Sequence, residues 1–259
     1  MRIIPIINQK GGVGKSSTAL AVGAGLRLKG YKVLYIDLDP QGNLSYTLQA
    51  KAAGYGALGI LQRPETIKGE IQQTPEGDAV ASSPLLAGAD NSITQTGKEY
   101  RLKEALSIVS TDYDYCIIDT APALGILTIN ALTACTGAII PAQADIYSLH
   151  GISQLYSTIE AVKKYTNHSL EVLGIVITRY NKRTIISREV ASILEDTAKT
   201  LNTRVYKTKI REGIALVESQ AERENIYKYA PRSNVAKDYK ALVDEIINQQ
   251  EADNGKEKL

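Results

Sequence analysis

The sequence predicts an α/β fold, a mainly parallel twisted sheet with helices on both faces. Three observations carry this. Short apolar, β-branched runs recur along the chain, stretches with helical periodicity separate them, and the first run passes through a cluster of glycines into an apolar helical stretch. The first strand, Ile3–Asn8, contains Ile3-Ile4-Pro5-Ile6-Ile7 and suits burial on both faces. Thr18 to Leu28 is almost continuously Ala, Leu, Val and Gly, as expected of a buried helix, and Gly30 can end it. Further strands are expected at Lys32–Asp37, Asp78–Ser82, Tyr115–Asp119, Gly137–Ala142, Leu170–Thr178 and Thr203–Tyr206. Helices are expected over 98–110, 124–134, 151–165, 187–201 and 235–250, with several short helical pieces in 42–75. No linker composition divides the chain. Residues 1–250 are expected to form one domain and 251–259 a polar, disordered tail.

The turn after the first strand carries the chemistry. Gln9 to Ser17 reads Gln-Lys-Gly-Gly-Val-Gly-Lys-Ser-Ser. Gly14, Lys15 and Ser16 fit the end of the phosphate-loop pattern G-x-x-x-x-G-K-[ST], but Gln9 stands where its first glycine belongs. Strand, glycine loop and helix is the setting such a loop needs. Backbone N–H groups of Gly11, Gly12, Val13, Gly14, Lys15, Ser16 and Ser17 can surround phosphates, and the helix N-terminus adds positive potential. Lys15 would neutralise the β- and γ-phosphates and the Ser16 hydroxyl would ligate Mg²⁺. A second lysine, Lys10, needs its own explanation.

Two strands end in carboxylates. Lys32–Asp37 runs into Asp37-Leu-Asp39-Pro-Gln-Gly-Asn43, and Tyr115–Asp119 into Asp119-Thr-Ala-Pro122. Phosphoryl transfer to water needs a metal near the γ-phosphate and a group that orients the nucleophile. Asp119 is the expected Mg²⁺ partner and Asp39 the group positioning the attacking water. Asp37 either supports Mg²⁺ or holds the loop. Taken singly, each strand-end aspartate reads as well as a cap or turn former.

Composition narrows the class. The net charge of +2 conceals an asymmetry: nine basic side chains fall within residues 179–211 against three acidic ones, so the remainder is slightly acidic. The basic run suits either a solvated face or phosphate contacts. Apolar runs are too short for a membrane span, no signal pattern opens the chain, and two cysteines cannot build a disulfide framework. A cytoplasmic protein is expected.

With Lys10-Gly-Gly-Val-Gly-Lys15-Ser16-Ser17, Asp37-Leu-Asp39-Pro-Gln-Gly-Asn43 and Ile118-Asp119-Thr-Ala-Pro122 in order, the chain resembles the ParA/Soj partition ATPases, in the deviant Walker A (MinD/ParA) group of P-loop ATPases. Leu127-Thr-Ile-Asn-Ala-Leu132, Pro141-Ala-Gln-Ala-Asp145 and Tyr229-Ala-Pro-Arg-Ser233 extend the match. The resemblance implies a P-loop NTPase fold and a slow, Mg²⁺-dependent ATPase with Lys10, Lys15 and Asp39 as catalytic residues. It implies that Lys10 reaches the partner's phosphates in an ATP-bound homodimer. It further implies non-specific DNA binding, nucleoid association and a stimulating ParB-type partner. Arg183 matches a DNA-contacting arginine of relatives, and Arg179, Lys182 and Arg211 are further candidates. A second such arginine would fall near Ala215, where the pattern departs. A proline common beside the equivalent of Ile210-Arg211 is missing, so no adenine-contacting residue is assigned. The phosphate loop lies so near Met1 that no added N-terminal DNA-binding region is expected.

The alternatives are weaker on chemistry. A MinD-like membrane positioner needs a basic amphipathic C-terminal helix, and residues 244–259 are too acidic and too polar. An iron–sulfur carrier needs paired cysteines, which Cys116 and Cys135 do not provide. The same ATPase positioning a protein cargo stays open.

Overall fold

The computed structural model describes residues 1–52 and 54–256. Among the described residues seven strands form one sheet: β1 (Arg2–Ile6), β2 (Val33–Leu38), β3 (Ile71–Thr74), β4 (Gly77–Val80), β5 (Tyr115–Thr120), β6 (Ala138–Gln143) and β7 (Val172–Thr178). Their order is β3-β4-β2-β5-β1-β6-β7, and all neighbours are parallel except the β3–β4 hairpin. The α-helices of the described residues are α1 (Lys15–Leu28), α2 (Asn43–Leu48), α3 (Ala57–Gln62), α4 (Ile67–Glu70), α5 (Ala89–Ser92), α6 (Arg101–Ile108), α7 (Ile126–Ala134), α8 (Ile146–Tyr165), α9 (Ile185–Thr200), α10 (Ile214–Ala221), α11 (Ile226–Tyr229) and α12 (Asn234–Lys256).

Strand alternation divides the core. On one face Ile4, Ile6, Tyr35, Ile117 and Ile139 pack under α1 and α12. On the other, Leu34, Ile36, Cys116 and Ile118 meet α3, α6 and α7, while Ile140, Ile175 and Ile177 meet α8 and α9. All six residues of β2 and of β5 are buried, as a strand covered on both faces requires. The predicted two-faced parallel sheet is therefore present.

Two expectations change. Thr203–Tyr206 is not a full strand. Ile175 N–H donates to the Arg204 carbonyl (2.8 Å) and Tyr206 N–H to that of Ile175 (2.9 Å), leaving one isolated bridge beside β7. The chain then turns away, with Thr208 N–H donating to the Glu245 carboxylate (3.2 Å), and rejoins the sheet edge only at Ile210. The expected fraying at Glu251 does not occur either, because α12 continues through Lys256. Positions 257–259 of the expected tail lie outside the described residues.

The order β2-β5-β1 brings three carboxyl-terminal strand ends side by side at the crevice where open α/β sheets bind ligands.

Candidate active site

The phosphate loop is fastened at its start and at its middle. Asn8 is buried; its side-chain amide donates to the Pro141 carbonyl (2.6 Å), and its Oδ1 accepts from Lys10 N–H (2.9 Å). Thr178 Oγ1 donates to the Val13 carbonyl (2.8 Å), tying the loop to the end of β7. Gly12 and Gly14 sit at φ 73° and 87°, a left-handed backbone that strains any residue with a β-carbon. Gly14 opens α1 without a side-chain cap, so the first N–H groups of that helix are left for an anion.

Lys15 is 7% exposed and its Nζ donates to the Lys10 carbonyl (3.1 Å). Burial lowers its pKa, opposed by the charges of Asp119 and Asp39. Lys10 turns the other way and pairs with Asp145, whose carboxylate also caps α8 by accepting from Ser148 N–H (3.0 Å). The Asp145 carboxyl is held below its usual range: burial raises it, and the Lys10 and Ser148 hydrogen bonds outweigh that.

Asp37 and Asp119 are register partners on β2 and β5. Asp37 is spent on the loop that follows it. Oδ1 accepts from Asp39 N–H (3.1 Å), and Oδ2 from Ser45 N–H (2.8 Å) and the Ser45 hydroxyl (2.7 Å). Of its two expected roles, these contacts fit holding the loop. Asp39, in contrast, lines the cavity in front of the phosphate loop.

Asp119 is fully buried. Oδ1 accepts from Thr120 N–H (3.0 Å), while Oδ2 makes no hydrogen bond among the described residues. Burial, then the charge of Asp37, pushes its pKa well up; the Ser16 hydroxyl and Lys15 favour its charged form without offsetting this. An orphaned carboxylate oxygen in reach of Ser16, beneath a phosphate loop, fits a hard cation. No group of three or more His, Cys, Asp or Glu suited to a metal occurs among the described residues. Mg²⁺ would therefore rest on Ser16, Asp119, water and the phosphates themselves, its usual manner of binding.

The cavity has a volume of about 620 Å³ and is walled by Lys15, Asp39, Pro122, Val217 and Gln220 together with Arg179. A narrower cavity of about 130 Å³, with Ile210, Glu212 and Leu216, adjoins it and shares Gly14, Ser17 and Arg179. Larger clefts of about 720 and 1130 Å³ lie away from the phosphate loop and mix acidic with basic residues.

The four expected DNA contacts separate. Lys182 and Arg183 are exposed in the turn before α9, where Arg183 N–H donates to Asn181 Oδ1 (3.0 Å). Arg211 is committed elsewhere, its guanidinium gripping Asp238 through Nε (2.9 Å) and Nη2 (2.6 Å). Arg179 lines both cavities beside the phosphate loop. Asn8, Thr178, Asp145 and Gln220, whose amide donates to Ser17 Oγ (2.6 Å), were given no role by the sequence. Of these only Asp145, a strand-end carboxylate inside a matched motif, carried a usable signal.

A family model described as "AAA domain" matches residues 1–172. The chain is 39% identical over 250 residues to the sporulation initiation inhibitor protein Soj of Bacillus subtilis, covering 95% of this chain and 98% of that protein. It is 33% identical to the chromosome partitioning protein ParA of Caulobacter vibrioides, covering 96% and 95%. Among solved structures, cobyrinic acid a,c-diamide synthase from Mycobacterium smegmatis with bound ATP analogue and magnesium superposes with a TM-score of 0.83 at 30% identity, covering 96% and 95%.

Proposed function

Because this chain belongs to the Soj/ParA family of P-loop ATPases, we propose that it is an ATP-dependent dimer that binds DNA non-specifically and partitions a DNA cargo with a ParB-type partner. The observation that carries the ATPase reading is that Lys15, Ser16 and Asp39 line one cavity at the carboxyl ends of β1, β2 and β5, with the unpartnered Asp119 oxygen buried behind Ser16 and Lys15.

Each residue has a task. The loop amides and Lys15 bind the β- and γ-phosphates and offset their charge. Ser16 and Asp119 hold Mg²⁺, which when bound neutralises charge developing on the phosphates. Asp37 fixes the Asp39–Ser45 segment, and Asp39 orients water toward the γ-phosphate. Lys10 leaves Asp145 to reach the phosphates of the second protomer, so the dimer depends on the γ-phosphate. Lys182 and Arg183 face solvent near α9 and supply sequence-independent phosphate contacts that localise the protein to the nucleoid.

Asp39→Ala tests the division of labour. It is expected to bind ATP within about threefold of the native chain and to lose about 100-fold or more in turnover, the scale of removing a group that positions or deprotonates water. Turnover near the native rate would remove Asp39 from the mechanism.

A further inference from the structure

We infer that Ser82 is a positioning residue for the hydrolytic step, its hydroxyl holding the Asp39 backbone so that one Asp39 carboxylate oxygen stays open to the cavity. This rests on the reading of Asp39 given above. Ser82 lies two residues beyond β4, the neighbour of β2 in the sheet. Its Oγ donates to the Asp39 carbonyl, and its N–H donates to Ser45 Oγ (2.8 Å). Ser45 Oγ donates in turn to Asp37 Oδ2 (2.7 Å), and Asp37 Oδ1 accepts from Asp39 N–H (3.1 Å). Four residues thus close a ring of hydrogen bonds that joins the carboxyl ends of β2 and β4. All four are buried, so bulk water does not compete for these bonds.

The ring treats the two parts of Asp39 differently. Its peptide groups are taken: the N–H by Asp37, the carbonyl by Ser82 Oγ and by Gly42 N–H (2.9 Å). Of its carboxylate, Oδ1 accepts from Gln41 N–H (3.0 Å), while Oδ2 makes no hydrogen bond among the described residues. A carboxylate with a fixed backbone, one oxygen tied and the other open to the cavity, can accept from a water in a defined direction. Orienting a nucleophile requires that. Gln41 and Gly42 belong to the same turn and move with Asp39, and Asp37 stands just before it. Ser82 is the one hydrogen-bonding partner of Asp39 from outside residues 37–45 among the described residues. Its hydroxyl therefore sets where the turn stands against the sheet.

The test is single-turnover hydrolysis of γ-labelled ATP by the full-length chain. Ser82→Ala removes the hydroxyl without adding bulk. It should hydrolyse about tenfold more slowly. It should bind ATP within about twofold of the native chain, because the loss falls on the chemical step. In an Asp39→Ala background the same change should slow the residual rate by less than about twofold, since no carboxylate is left to position. A serine that only braces the fold would act with or without that carboxylate, so an undiminished loss in the Asp39→Ala background overturns the inference. A native rate in Ser82→Ala overturns it as well. Ser82→Thr and Ser82→Val, alike in shape and different in the hydroxyl, give a second comparison that does not depend on how well the alanine variant folds. The threonine variant should be faster by about fivefold or more, and equal rates in folded proteins would count against Ser82. If Asp39→Ala alone hydrolyses at the native rate, the water-orienting reading fails and the inference falls with it. If Asp39→Ala is slow and Ser82→Ala is not, only the present inference fails.

Discussion

Asp119 carries a cost that the fold alone does not repay. A fully buried carboxylate oxygen without a partner destabilises by about 1–3 kcal/mol. Its pKa is raised in the folded chain above the ordinary 3.8, so folding is penalised once the unfolded chain ionises there and unpenalised below. Asp119→Asn removes that charge. Without nucleotide or Mg²⁺, the variant should be more stable than the native chain by about 1–2 kcal/mol at neutral pH. The gain should shrink as pH falls toward about 4. Urea unfolding across pH checks this, and a variant less stable at neutral pH would contradict it. Lys10 poses the opposite case. Its pair with Asp145 is about one-third exposed, and such pairs contribute on the order of 0.5 kcal/mol, so Asp145 aims Lys10 without locking it. The loop residues and strand-end aspartates were legible because each motif is local. The pairing of Arg211 was not legible, because its partner, Asp238, lies 27 positions on and nothing near Arg211 in sequence announces it.

At the scale of elements, α1 shows packing overriding propensity. In a helix interior alanine is favoured over glycine by about 1 kcal/mol. A β-carbon at Gly23, however, would lie 2.3 Å from Tyr35 Cε1, in a ring that is fully buried on β2. Overpacking of this kind costs about 1–3 kcal/mol. Gly23→Ala should therefore destabilise the protein by about 1–2 kcal/mol despite its better helix propensity, and a rise in unfolding midpoint would contradict the close approach of α1 to the sheet. The same competition explains what the sequence concealed. Thr203–Tyr206 has a strand's composition, but Glu245 on α12 takes the Thr208 N–H and bends the edge outward. β3 escaped notice because Gln72 and Gln73 give it no apolar alternation; its pairing is set by the hairpin turn to Gly77. The start of α8 moves to Ile146, five residues before the expected start, because Asp145 caps it there.

At the scale of the whole molecule, fold class was legible because seven alternations of apolar run and helix leave little choice but a covered parallel sheet. Function at the surface was less so, since a basic run in sequence is not a basic face in space. Of the nine cations in 179–211, Lys199, Lys209 and Arg211 are ion-paired, and Arg179 faces the nucleotide cavities. Lys182, Arg183, Arg188, Arg204 and Lys207 are left exposed, with Lys182 and Arg183 in the turn that leads into α9. Two protomers would bring about four such contacts, enough for a log–log salt slope of about −3 to −4. The most direct test of the proposed DNA-binding ATPase is DNA affinity measured with ATP, with ADP and without nucleotide, between about 50 and 200 mM salt. Binding should appear with ATP alone, weaken about 100-fold across that range, and lose its ATP dependence in Lys10→Ala. Equal binding in all three nucleotide states, or an affinity indifferent to salt, would contradict it.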